Sequence, residues 1–197
     1  MSTFFVAPIV EGHGEVEAVP VLLRRLLWEV SPEASLRLNP PLRVKASSFF
    51  ADEQYFARYV ELAVRKARQH PRSSVLILLD CEDECPGRMG PDLAARAAFV
   101  AGDFPITIAL AHREYETWFL AAARSLRGTG GLPADLQAPP DPESIRDAKG
   151  WLGDGMPVGY NPVNDQPAFT ARFSFEAASS VPSFDRLRRR LHRLFAP

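Results

Sequence analysis

The sequence predicts an α/β fold, a largely parallel four-stranded sheet flanked by helices, followed by a C-terminal extension of helical and irregular segments. Three observations carry this expectation. Short apolar runs of strand length alternate with segments of helical spacing through residues 1–127, and two of those runs end abruptly in acid. Beyond them glycine and proline become frequent, as in loops. A chain of 197 residues, 46% of them hydrophobic, has the size of one domain, so the core (1–127) and the extension (128–197) are expected to pack as one unit.

Residues 3–10, TFFVAPIV, have the length and composition of a strand buried on both faces. From Glu15 to about Val30 the apolar residues Val16, Val19, Leu22, Leu23, Leu26 and Leu27 recur at three- and four-residue steps. This predicts a helix that begins late or bends at Pro20. A second strand is expected over 42–50, LRVKASSFF, where alternation is weak. Residues 51–69 place Phe56, Tyr59, Val60, Ala63, Val64 and Ala67 at helical spacing behind Asp52, a residue suited to an N-cap. The clearest strand is SSVLILLD, 73–80, apolar up to its final acid and so expected at the centre of the sheet. A helix over 92–102, a fourth strand over 106–113 and a helix over 114–127 complete the alternation, which favours parallel pairing. The remainder reads as a loop to 142, a short helix over 142–152, an irregular stretch over 153–167 and a last helix over 183–195.

The formal net charge of -1 excludes a polybasic nucleic-acid binder or an acidic tail as a description of the whole chain; such a patch must be local. Cys81 and Cys85 form neither a disulfide framework nor a zinc pair, and they suggest a reducing compartment. No apolar run reaches about 18 residues and no basic segment precedes the first acids, so a soluble cytoplasmic protein without membrane association is expected.

Glu11 follows the first strand, and DCEDE, 80–84, follows the third. In a parallel sheet both strand ends share the edge where open α/β folds bind ligands, so the two motifs are expected to converge. VEGHGEVEA, 10–18, starts like a phosphate loop at Gly12 and Gly14, but Glu17 replaces the third glycine, and Glu15 and Glu17 would repel a phosphate. A divalent cation is attracted instead, with the glycines turning the chain so that Glu11 and Glu15 face one site. Oxygen ligands without thiolate or imidazole suit Mg²⁺ or Mn²⁺, the ions of phosphodiester hydrolysis and transfer. The alternative for Glu15 and Glu17 is that they only complement a helix N-terminus, worth roughly 0.3 to 1 kcal/mol each. For Asp80, Glu82, Asp83 and Glu84 it is a solvated acidic loop.

Glu114 and Glu116 open the helix after strand four, on the same edge. Glu116 is a candidate to ligate a second metal or support the first, and Glu114 to cap the helix. Trp118 and Phe119 read as core. Lys149, the one lysine after residue 66, is either the cation that a phosphoryl-transfer site needs or an ordinary surface lysine. Asp165 and Gln166 either fix the extension against the site or form a turn. In the last helix Arg186, Arg188, Arg189, Arg190 and Arg193 surround a stripe of Leu187, Leu191, Leu194 and Phe195. Those arginines track a phosphate backbone, form a solvated face, or meet an acidic partner. His13 reads as a solvated loop residue.

IVEGHGE and ILLDCED, at the ends of these strands, resemble the Toprim domains of primases, topoisomerases and OLD-type nucleases. In those domains a glutamate-glycine turn follows the first strand and a D-x-D turn a later one. Glu11 and Gly12 match the first turn, and Asp80 with Glu82 the second in the form D-x-E, which keeps a carboxylate but lengthens its reach. Together with LLDCEDECP, HREYETWFLA, YNPVNDQPAF and VPSFDRLRRRL, they make most of the chain similar to the Toprim-like bacterial DUF4276 family. The resemblance implies a Toprim-like fold, a divalent metal at Glu11, Asp80 and Glu82, and work on DNA or RNA. It also implies a neighbouring AAA-type ATPase and a role in phage defence. OLD-type nucleases are similar in using a lysine downstream of the acids, the place of Lys149.

The function expected is therefore Mg²⁺- or Mn²⁺-dependent hydrolysis of phosphodiesters in nucleic acid. Glu11, Asp80 and Glu82 hold the metal, Glu15, Asp83 and Glu116 are auxiliary ligands, and Glu11 or Glu15 is the general base. Lys149 faces the developing charge, and Arg186, Arg189, Arg190 and Arg193 contact the nucleic acid. The alternative is a non-catalytic module that binds metal or nucleic acid and regulates a partner protein; a homo-oligomer is compatible with either.

Overall fold

The computed structural model describes residues 2–196. Strand β1 (Thr3–Val10) leads into helix α1 (His13–Val30), which runs through Pro20 without ending there. Two short strands follow, β2 (Ser35–Leu38) and β3 (Leu42–Arg43), then α2 (Ala46–Ala51), α3 (Glu53–Ala67), β4 (Ser73–Asp80), α4 (Pro86–Ala101) and β5 (Ile106–Ala111). The extension contains α5 (Thr117–Ala121), α6 (Ala148–Asp154), α7 (Pro162–Thr170), α8 (Phe175–Ala178) and α9 (Pro182–Phe195), with short 3₁₀ turns between α5 and α6.

All strand pairs are parallel, in the order β2-β1-β4-β5 with β3 also beside β1, so the α/β class expected from the sequence holds and the architecture is Rossmann-like. The side of β1 away from β4 is shared: β2 pairs with Thr3–Val6 and β3 with Ile9 and Val10. The break between them falls at Pro8, which has no N–H to donate, opposite Pro40 and Pro41. The strand expected over 42–50 is accordingly cut to Leu42–Arg43. β1 ends at Val10 and offers no further partner, so the chain turns into α2 and buries Phe49 against Phe56, ring centroids 4.7 Å apart.

Alternation along the strands divides the core. Phe5, Ala7, Ile9, Val75, Ile77 and Leu79 face α2, α3 and α4, while Phe4, Val6, Val10, Leu76 and Leu78 face α1 and the extension. On that second face Trp118, Phe119, Phe169, Phe173, Phe184 and Phe195 are fully buried in the same cluster as Leu22, Leu23 and Leu26 of α1. Among the described residues the extension therefore has no core separate from this cluster. Arg25 fastens it, donating to the carbonyls of Thr170 at 2.6 Å and Phe173 at 3.0 Å while lying 4.0 Å from the Phe175 ring centroid.

Several boundaries differ from the sequence expectation, each for a local reason. α4 starts at Pro86 rather than 92, because proline is tolerated in a first helical turn. The helix expected over 114–127 shortens to α5 and a 3₁₀ turn. The stretch expected to be irregular contains most of α7: Asn161 accepts from the N–H groups of Val163 and Asn164, and Pro162 occupies the first turn. Among the described residues no helix is long and apolar enough to cross a membrane.

Gly12 and Gly14 do not turn the chain through positive φ; Gly12 is the N-cap of α1 and Gly14 lies inside it. Gly14 is required for close approach, since a Cβ there would lie 2.6 Å from the Pro162 carbonyl oxygen and collide with Gln166. Gly14→Ala is thus expected to destabilise the fold by about 1 to 3 kcal/mol through overpacking. Gly90→Ala, in α4 with nothing within 4 Å of the added methyl, should be neutral or stabilise by up to about 1 kcal/mol. Urea midpoints of the two variants check the contrast, and equal shifts would contradict the packing described.

Candidate functional site

Parallel pairing puts the ends of β1 and β4 side by side, and the turn after β5 joins them. Glu11 leaves β1, Asp80 closes β4, and Glu114 and Glu116 lie between β5 and α5. Glu15 projects from the first turn of α1, where it accepts from the Gly12 N–H in a capping arrangement. Glu15 is 5% exposed and Glu116 fully buried.

Lys149, in the first turn of α6, enters this group from the extension. Its Nζ lies 2.9 Å from Glu116 Oε2, 3.4 Å from Glu114 Oε2 and 3.9 Å from Asp80 Oδ2. Its backbone N–H also donates to Glu114 Oε2 at 3.2 Å, which fixes the start of α6 on that carboxylate. The remaining contacts are neutral donors. The Tyr115 N–H reaches Asp80 Oδ1 at 2.8 Å, the Tyr160 hydroxyl reaches Glu116 Oε1 at 3.0 Å, and Gln166 Nε2 reaches Glu15 Oε1 at 3.4 Å. The Ala46 N–H donates to Glu11 Oε1 at 3.3 Å.

Five carboxylates, those of Glu11, Glu15, Asp80, Glu114 and Glu116, thus act on one ammonium. Burial raises the pKa of Glu11, against the Ala46 N–H, and Glu82 raises it further. Burial likewise raises Glu15, against the Gly12 N–H and Gln166. Asp80 is held well above the usual carboxylate range by burial and by Glu15. Glu116 is raised by burial despite Lys149. Burial works against the Lys149 charge, but Glu116, Asp80 and Glu114 more than offset it and hold the ammonium above the ordinary lysine value.

The structure therefore brings Glu11, Glu15, Asp80, Glu116 and Lys149 together, as expected from the sequence, and adds Glu114. Glu82 sits at the rim, exposed, at φ 50°, and bridged to Arg113 at φ 63°. Two non-glycine residues facing each other in the left-handed region mark local backbone strain at this edge. Asp83 is drawn away: it pairs with Arg113 and, at 2.8 Å, with Arg146. The four α9 arginines expected to contact nucleic acid, Arg186, Arg189, Arg190 and Arg193, are not at the site. Arg190 donates to the Ile108 carbonyl, and Arg193 lies beside Ile106, at the end of β5 remote from Asp80. His13 is exposed.

Gln166, one of the two residues expected either to fix the extension against the site or to form a turn, does the former through Glu15, whereas Tyr160, Arg113 and Arg146 are neighbours to which the sequence assigned no place. YNPVNDQPAF was the available signal for Tyr160, since it is a polar run in which Asn161 caps a helix. Trp118 and Phe119 are core residues, fully buried. Among the described residues no three His, Cys, Asp or Glu side chains form a ready-made metal cage; Lys149 stands between the carboxylates. The donors themselves fit a hard divalent cation, being oxygens only and carrying more negative charge than one lysine neutralises.

A family model described as a domain of unknown function (DUF4276) matches residues 10–192. No curated protein and no solved structure matches the chain.

Because Glu15, Asp80 and Glu116 have folded pKa values above the unfolded ones, the folded chain binds more protons than the unfolded chain between the two. The stability they contribute is fully present below the unfolded pKa and is lost as pH rises through the folded values. In the presence of chelator, urea midpoints should therefore rise as pH is lowered from neutral towards the ordinary glutamate value of 4.5. Asp80→Asn keeps an acceptor for Tyr115 and should raise the midpoint at neutral pH while flattening this slope. Stability that increases with pH across the window would contradict the site's electrostatics.

Proposed function

The chain belongs to the DUF4276 family, and from the charge balance of its site we propose that it is a metal-dependent hydrolase of phosphodiester bonds in nucleic acid, of the Toprim type. The observation that carries this reading is the excess of buried carboxylates over the single Lys149 ammonium at the carboxyl edge of a parallel sheet. Carboxylates whose pKa is raised by burial gain from a cation that reaches them, and its binding is coupled to release of any protons they hold. Glu11, Asp80 and Glu82 would hold Mg²⁺ or Mn²⁺, with Glu15 and Glu116 in support; Asp83 would join only by leaving Arg113 and Arg146. Such an ion, when bound, supplies Lewis-acid polarisation of a phosphoryl oxygen and a more acidic water.

The chain's own residues supply the remaining parts. Glu11 and Glu15 are carboxylates with raised pKa, and either accepts the proton of an attacking water. Lys149, kept charged and 36% exposed along its side chain, turns an N–H towards a phosphate oxygen as negative charge develops there. Arg146, on the rim beside Arg113 and 72% exposed along its side chain, offers a planar donor pair to a neighbouring phosphate. In this reading a substrate strand is held by Lys149, Arg113 and Arg146 rather than by the α9 arginines. Cys81 and Cys85 are free thiols, which supports a cytoplasmic location.

Calorimetry with Mn²⁺ and nicking of supercoiled plasmid, single-stranded DNA and RNA test the proposal. Wild type should bind Mn²⁺ and nick at least one of these. Asp80→Ala should lose both, and Lys149→Met should keep Mn²⁺ binding while slowing cleavage by about 10²- to 10³-fold. Absence of Mn²⁺ binding in the wild type would overturn the reading, and binding without cleavage of any of them would favour the regulatory module.

A further inference from the structure

We propose that the free edge of β5 is the docking site of an extended acidic segment of a partner protein, which would add a parallel or antiparallel strand to the sheet between α4 and α9. The sheet ends at β5. The N–H of Val75 donates to the Pro105 carbonyl and that of Cys81 to the Ala111 carbonyl, so the odd-numbered residues of β5 face β4. Ile106, Ile108 and Leu110 consequently direct their N–H and C=O groups outward, the arrangement that accepts another strand.

This edge lies in a groove rather than on an open flank. A cavity of about 160 Å³ runs along Ile108–Leu110, walled by the first turns of α4 and by α9. Gly87 and Gly90 leave the α4 wall without side chains. The charged groups lining the groove are Arg186 and Arg190, with Arg189 and Arg193 continuing the row. The acid nearest in sequence, Asp185, is paired with Arg189 at 2.8 Å. Arg190 donates to the Ile108 carbonyl, so a side chain holds the position that a strand N–H would take. Burial lowers the pKa of Arg190, and Arg186 and Arg193 lower it further; an incoming carboxylate relieves that repulsion. A nucleic acid would meet the same arginines but leave the outward amides of β5 without partners, so the edge chemistry favours a peptide.

The test uses the full chain and a fluorescein-labelled peptide of alternating Glu and Val, about ten residues long to match a strand. A Lys-Val peptide and a single-stranded oligonucleotide serve as competitors. The acidic peptide should bind at least roughly tenfold tighter than the basic one. It should also slow amide exchange at Ile108 and Leu110. Arg186→Glu, at an exposed residue, and the double variant with Arg190→Glu should reverse the charge preference while the circular dichroism stays native. Equal or absent binding of the two peptides overturns the proposal. So does displacement by the oligonucleotide with the β5 amides unprotected, which would make the arginine row a nucleic-acid track.

Discussion

The Lys149 ammonium draws carboxylates from separate parts of the chain into one place of low polarity, and the edge of the fold is organised around it. Asp80 ends the central strand β4, Glu114 and Glu116 sit in the turn after β5, and Lys149 itself comes from the extension. Like charges at such separations repel strongly once water is excluded, so this cluster persists only with a cation or protons inside it. One lysine neutralises part of the charge. The remainder is what makes the site receptive to a further cation in the function proposed.

The extension is as necessary to this arrangement as the sheet. α6 brings Lys149 and the segment before α7 brings Tyr160, which donate to the two oxygens of Glu116, while α7 brings Gln166, which donates to Glu15. Their placement depends on the close contact of α1 with α7 at Gly14 and on Arg25 clamping the chain beyond α7. Hydrophobic packing on one face of the sheet and polar positioning at its edge are two consequences of the same docking. A loss of packing at Phe169 or Phe173 would therefore be felt at Glu15 and Glu116.

The fold class was legible because β1 and β4 are unbroken apolar runs that end in acid, and the position of both ends on one edge follows from parallel pairing alone. Glu11, Glu15 and Asp80 were readable for that reason. Lys149 and Glu116 were readable only as candidates, since their meeting depends on a contact between residues far apart in the chain. Gln166 was readable only as one of two alternatives, and Tyr160 acts as a neutral donor whose role no charge pattern or spacing announces. Asp83 looked equivalent to its neighbours in DCEDE, yet the arginines opposite decide where it points, and Arg113 belongs to another strand end. Short edge strands were the least legible: β2 and β3 are separated by prolines on both partners, and their pairing is a property of β1 rather than of their own composition.

The strained pair Glu82 and Arg113 closes this edge, just beyond the register where Asp80 meets Ala111. Crystals grown with Mn²⁺, measured by anomalous diffraction at the manganese edge, test the central claim most directly. The account predicts a peak among Glu11, Glu15, Asp80 and Glu82, with the Lys149 ammonium still against Glu116. No peak there, with the carboxylates closed on Lys149 alone, would show that the lysine completes the cluster and that the edge is a structural ion-pair network rather than a cation site.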